Sequence, residues 1–120
     1  MENATPTTRY DADERKQIAL TILSQFAGGR NPGAFTQMVG AKDLVSLDGG
    51  IRFGLKPCGF NKSGINTVQV ILTPADEYTV TFSKVRAGKE TIIATHEHVY
   101  CDDLPGLFFK KTDLLPYFGF

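Results

Sequence analysis

The run Glu77-Tyr78-Thr79-Val80-Thr81-Phe82-Ser83-Lys84-Val85-Arg86 decides the fold class of this 120-residue chain. Tyr78, Val80 and Phe82 alternate with Thr79, Thr81 and Ser83, so an extended backbone sends the large apolar side chains to one face and the hydroxyls to the other. β-Branched and aromatic residues fill the run, which suits a pleated, half-buried surface. Pro74-Ala75-Asp76 precedes it and Ala87-Gly88-Lys89 follows. Both are short turns, so the strand joins its neighbours by hairpins, and hairpins make antiparallel pairs.

Working outward, Asn66 to Thr73 reads as a strand with Val68, Val70 and Leu72 on one side, and Glu90 to Tyr100 as the strand after the turn. Pro57 to Gly64 reads as a loop. Before it, Asp48-Gly49-Gly50 is a hairpin signal between strands over Asp43 to Leu47 and Ile51 to Lys56, the second with Ile51, Phe53 and Leu55 facing one way. Phe35 to Val39 reads as a short strand or turn.

The helical period appears at the two ends. Ile18, Leu20, Ile22, Leu23 and Phe26 mark a helix over Asp11 to Ala27, with Asp13 and Glu14 suiting the dipole at its start and Gly28-Gly29 stopping it. Asp102 to Leu115 reads as a second helix, with Pro105 in the first turn, where a missing N–H costs nothing. Residues 1–10 read as a frayed tail. Pro116-Tyr117-Phe118-Gly119-Phe120 carries three aromatics in five residues and is expected to pack on the body or on a second subunit. The expected architecture is α+β: an N-terminal helix, an antiparallel meander of four to five strands and a C-terminal helix, one domain over residues 11–120.

Thirteen basic and thirteen acidic residues cancel, which argues against a global field for polyanions. Between Arg30 and Glu90 there are eight Lys/Arg against five Asp/Glu, so the middle of the chain is weakly basic. Two cysteines, Cys58 and Cys101, are too few for a disulfide scaffold and suit a reduced, cytoplasmic setting. No apolar run approaches a membrane span, and no membrane partner is expected.

The most motif-like stretch is Gly28 to Lys42, with four glycines and a proline between Gly28 and Gly40. It is not a phosphate-binding loop: Ala41 separates Gly40 from Lys42, Asp43 stands where a hydroxyl residue is required, and a helix precedes it. Standard nucleotide binding is therefore not expected, and neither is a cofactor. Arg30, Lys42, Lys56 and Lys62, with Phe60 as a stacking platform, form a candidate anion or nucleic-acid surface. Lys and Arg on the outer face of a half-exposed sheet are the plainer alternative. His96-Glu97-His98 places two imidazoles two residues apart on a strand, hence on one face, with Cys101 close behind; the trio is a candidate metal site or, through the thiol, a nucleophile. An exposed polar edge strand is the competing account.

Ile22-Leu23-Ser24-Gln25-Phe26 with Gly28-Gly29, then Phe35, Met38-Val39-Gly40-Ala41-Lys42, Gly64-Ile65-Asn66-Thr67-Val68, the Tyr78 to Arg86 strand, and Val99-Tyr100 with Asp103-Leu104 occur in an order that is familiar. The chain resembles a family of small phage and prophage proteins of uncharacterised function, over roughly Ile18 to Tyr117, and departs from it by extra residues around Asn31-Pro32-Gly33. The resemblance implies a viral or mobile-element origin and a bacterial host cytoplasm, and no activity. Small phage accessory proteins without catalytic motifs often act by stoichiometric binding, and by that analogy the leading expectation is a non-enzymatic binding protein, a homo-oligomer among its possible states, that inhibits a host defence protein or sequesters a small ligand. A nucleic-acid or phosphate accessory protein is the alternative, and a metal- or thiol-dependent enzyme a second one.

Overall fold

The structure, a computed structural model, describes residues 10–29, 31–55 and 64–112. The elements run α1 (Ala12–Phe26), α2 (Pro32–Val39), β1 (Ala41–Leu47), β2 (Gly50–Leu55), β3 (Thr67–Leu72), β4 (Tyr78–Arg86), β5 (Lys89–Val99), a 3-10 turn over Cys101–Asp103 and α3 (Leu104–Thr112). The five strands form one sheet in the order β1-β2-β3-β4-β5, every pair antiparallel. This is the α+β meander that the alternation implies, with an N-terminal and a C-terminal helix. No described helix is long and apolar enough to cross a membrane.

Asp11 starts α1. Its carboxylate accepts from the Glu14 N–H at 2.8 Å while the Glu14 carboxylate accepts from the Asp11 N–H at 3.0 Å, a reciprocal box that satisfies two otherwise orphaned donors. Of the expected frayed tail only Tyr10 is described, and its N–H donates to Asp48 across the first hairpin. Residues 1–9 and the aromatic tail over 116–120 lie outside the described residues.

The segment expected as a short strand or turn at Phe35 to Val39 is instead part of α2. Asn31 caps it by accepting from the Gly33 N–H at 2.8 Å, Pro32 takes the first turn, and Gly40 closes it in the left-handed conformation at φ 68°. The proline and glycines that suggested a loop are the two ends of a helix. Gly40 therefore has a structural reason, and the residues after it have theirs: Ala41 packs against the core opposite Leu55, and Lys42 lies beside Gly54, opposite it in β2.

The core is one cluster between the helices and one face of the sheet. Phe26 of α1, Phe35 of α2, Phe53 of β2 and Phe108 of α3 are fully buried and meet ring to ring, with centroids 4.7 Å apart for Phe26–Phe35 and 5.2 to 6.0 Å for the other contacts. Offset and edge-on rings at these distances contribute beyond the area they bury. Ile51, Val68, Val70, Val80 and Phe82 extend the cluster along the sheet, and the Tyr78 hydroxyl donates to Gln25 Oε1 at 2.7 Å, tying β4 to α1.

Gly64-Ile65-Asn66 also proves structural. Ile65 is buried, and the Asn66 side chain accepts from the Val85 N–H at 2.8 Å and donates to the Val85 carbonyl at 2.8 Å, carrying the ladder between β3 and β4 beyond the end of β3. Gly40 and Asn66 thus both have roles in folding.

Candidate functional site

The helices pack on one face of the sheet, and no described element covers the other. Strand register sets which residues lie there. Val45, Arg52, Gln69, Thr81 and Thr95 form one transverse row, and Lys42, Gly54, Thr67, Ser83 and Ile92 form the next. Val45 is 50% exposed and Ile92 61%, high values for large apolar side chains. Between them a polar lattice crosses the strands. Arg52 meets Glu90 through two contacts at 3.0 and 3.2 Å and donates to Gln69 Oε1 at 3.3 Å, while the Ser83 hydroxyl donates to Glu90 at 2.7 Å. The guanidinium and the hydroxyl together hold the Glu90 carboxyl below its ordinary range. These contacts link β2, β3, β4 and β5 across the middle of the face.

Bulges blunt both sheet edges. In β1, Asp43-Leu44 oppose Phe53 alone, with Asp43 at φ 54°. In β5, Ile93 is an extra residue between partners of Phe82 and Ser83, and Glu97-His98 oppose Thr79 alone, with His98 at φ 60°. Bulged edges resist strand addition, so the open face is the better surface for a partner.

The second β5 bulge builds a small constellation. A non-glycine residue in the left-handed region costs about 1–2 kcal/mol, and here the backbone turn swings the imidazole onto Glu77, with Nδ1 2.9 Å from Oε1. Tyr100 lies near enough to the same carboxylate for the two groups to influence each other's titration. The His98 contact and then the nearby Tyr100 hydroxyl lower the Glu77 carboxyl, and in return Glu77 raises His98 and Tyr100 above their ordinary values. Thr73, Pro74, Ala75, Glu77, Thr79, Glu97 and His98 line a shallow pocket of about 270 Å³ at this end of the open face.

The bulge also corrects the expectation that His96 and His98 share a face. His96 sits opposite Val80, on the helix-covered side, with its ring edge-on to Phe82 at 6.1 Å and its Nε2 buried without a hydrogen bond among the described residues. Burial first, then Lys111 and Lys110, keep it below the ordinary imidazole range. His98 stands on the opposite side with Glu77. Cys101 is exposed, with its Sγ 3.7 Å from Asp102 Oδ1. Among the described residues no group of three or more His, Cys, Asp and Glu side chains is placed to hold a metal.

Of the expected cationic surface, Arg30, Lys56, Phe60 and Lys62 lie outside the described residues, as does Cys58. Lys42 is exposed on the open face. Arg52, its neighbour there, is neutralised by Glu90. Glu77 and the bulge were missed by sequence reasoning: Glu77 sits beside a turn, and its partner is 21 residues away. The only sequence signal for the bulge was the break in alternation at Ile92-Ile93 and Glu97-His98. Comparison with family models, with curated proteins and with solved structures finds no match to this chain.

Proposed function

We propose that the chain is a small phage-encoded, non-enzymatic binding protein that acts in the bacterial cytoplasm and engages a host protein through the open face of its sheet. The observation that carries this reading is the pairing of exposed apolar side chains, Val45 and Ile92, with a pinned polar lattice on a face that no described element covers. Apolar anchors around ordered polar groups are what a specific protein interface is made of. A rigid sheet also loses little conformational freedom on binding, which leaves more of the contact energy as affinity. The phage-family resemblance supports the origin and setting. Inhibition of a defence protein is the role that such stoichiometric occupancy serves.

The test is affinity capture from bacterial lysate with the wild-type chain, the Val45→Asp/Ile92→Asp variant and, as a control on the solvent side of α1, Leu20→Asp. A discrete host protein retained by the wild type and the control and lost by the face variant is the expected result. Equal capture by all three, or recovery of nucleic acid alone with steep salt sensitivity, overturns the reading.

A further inference from the structure

The pocket at the β5 bulge has walls and a charge that select one kind of occupant. Pro74 and Ala75 offer apolar wall, Thr73 and Thr79 are uncharged, and Glu77, Glu97 and His98 supply the charge. Glu77 is already paired with His98. Glu97 is exposed and makes no ion pair among the described residues. With His98 protonated the lining carries two negative charges against one positive, so an uncompensated carboxylate remains. An anion is repelled there, and a neutral apolar group leaves Glu97 unpaired. A long aliphatic stem ending in a cation satisfies both the walls and the charge.

Size narrows the choice further. About 270 Å³ lies just below the range of roughly 300–1,000 Å³ typical of small-molecule sites. It suits one side chain better than a nucleotide or cofactor. Thr79 opposes Ile71 and lies in the row beside that of Gln69 and Thr81, so the pocket is continuous with the open face.

We propose that this pocket receives a basic side chain, arginine or lysine, presented by the partner protein, with Pro74 and Ala75 against its stem and Glu97 against its cation. The inference rests on the open face being a protein-binding surface. Arginine is the better fit, because its planar fork can take Glu97 while its stem lies along the wall. Such a residue, seated at one end of a flat face, fixes the partner's register as well as adding affinity.

The experiment is an amide-resolved NMR titration of the full chain with N-acetyl-arginine amide, alongside N-acetyl-norleucine amide and N-acetyl-glutamate amide. Saturable shifts centred on Thr79, Glu97 and His98 with the arginine probe are expected, with weaker ones for norleucine and none for glutamate. Glu97→Gln, with an otherwise unchanged spectrum, is expected to weaken arginine binding by about two- to five-fold, the size of one exposed charge contact. An equal response to norleucine, no saturable shift with arginine, or unaltered affinity in Glu97→Gln overturns the inference. The two readings fail separately. Capture that depends on Val45 and Ile92 without an arginine response removes the pocket alone, and an arginine response with capture indifferent to those residues removes the open-face function alone.

Discussion

Replacing Gly50 by alanine tests the geometry on which the open face depends. A Cβ at this position would lie 2.0 Å from the Val70 carbonyl oxygen, 2.8 Å from Ile71 Cδ1 and 3.0 Å from Ile71 Cα. Carbon-to-oxygen contacts settle at about 3.3–3.6 Å. Backbone cannot rotate out of the way as a side chain can, so β2 and β3 must part by more than about 1 Å at the Gly50–Ile71 pair. The adjacent bond from the Leu72 N–H to the Gly49 carbonyl, 2.7 Å long, would go with it. Overpacking of this kind costs about 1–3 kcal/mol and the lost backbone bond about another 1 kcal/mol, so Gly50→Ala should lose roughly 2–4 kcal/mol. Against a typical total of about 5–15 kcal/mol that is a large share. Urea unfolding followed by circular dichroism reads it as a lower midpoint at an unchanged slope. Gly54→Ala is the control, because its Cβ would meet Lys42 and the Asn66 carbonyl at an ordinary 3.5 Å. It should change stability by less than about 1 kcal/mol. Equal stability of the two variants would refute the close approach of β2 to β3.

Three other outcomes follow from the packing and the charges. Phe26→Ala removes a fully buried ring in contact with Phe35, Phe53 and Phe108 and should cost about 3–5 kcal/mol in the same unfolding assay. Asn66→Ala strands the N–H and carbonyl of Val85 and should cost about 2–3 kcal/mol; Asn66→Asp, which keeps only the acceptor, should recover part of it. His98 is raised by Glu77 and Glu77 is lowered by His98. The stabilisation from His98 is therefore complete below the unfolded histidine value of about 6.5 and is lost as pH rises through the higher folded value. The Glu77 contribution is present above the unfolded glutamate value and lost as pH falls through its lower folded one. The pair thus supports the fold most between the unfolded glutamate and unfolded histidine values, and the support fades as pH passes beyond either one toward the folded-state value. Imidazole NMR should show His98 titrating above the ordinary value and His96 below it, and Glu77→Gln should bring His98 down alone.

Strand character was open to reading wherever one face of a strand is buried, because burial writes itself as alternation: Tyr78, Val80 and Phe82 point inward as their spacing implies. α2 was hidden for the opposite reason. In eight residues its hydrophobic period has little room to show, and Pro32, Gly33 and Gly40 look like a loop until they are taken as the start and end of one helix. The β5 bulges left only a break in alternation, at Ile92-Ile93 and Glu97-His98. One inserted residue exchanges the faces of everything after it, so His96 and His98, two apart in sequence, end on opposite sides of the sheet. The candidate site depends on that event and on a contact between Glu77 and His98 made by tertiary pairing of β4 with β5. Lys42 drew attention through its glycine-rich approach, yet Gly40 closes a helix and Gly54 leaves room for the lysine stem.

The most direct measurement is the dissociation constant of the captured host protein for the wild type, Ile92→Asp and Leu20→Asp, taken by calorimetry on folded protein. Ile92 is 61% exposed on the open face and Leu20 38% exposed on α1, so neither change should disturb the core. Burial of one large aliphatic side chain at an interface is worth about 1.5–3 kcal/mol, or at least roughly ten-fold in affinity. Ile92→Asp should weaken binding by that much or more while Leu20→Asp leaves it unchanged. Full affinity in Ile92→Asp together with loss in Leu20→Asp would place the partner on the helices and contradict the account.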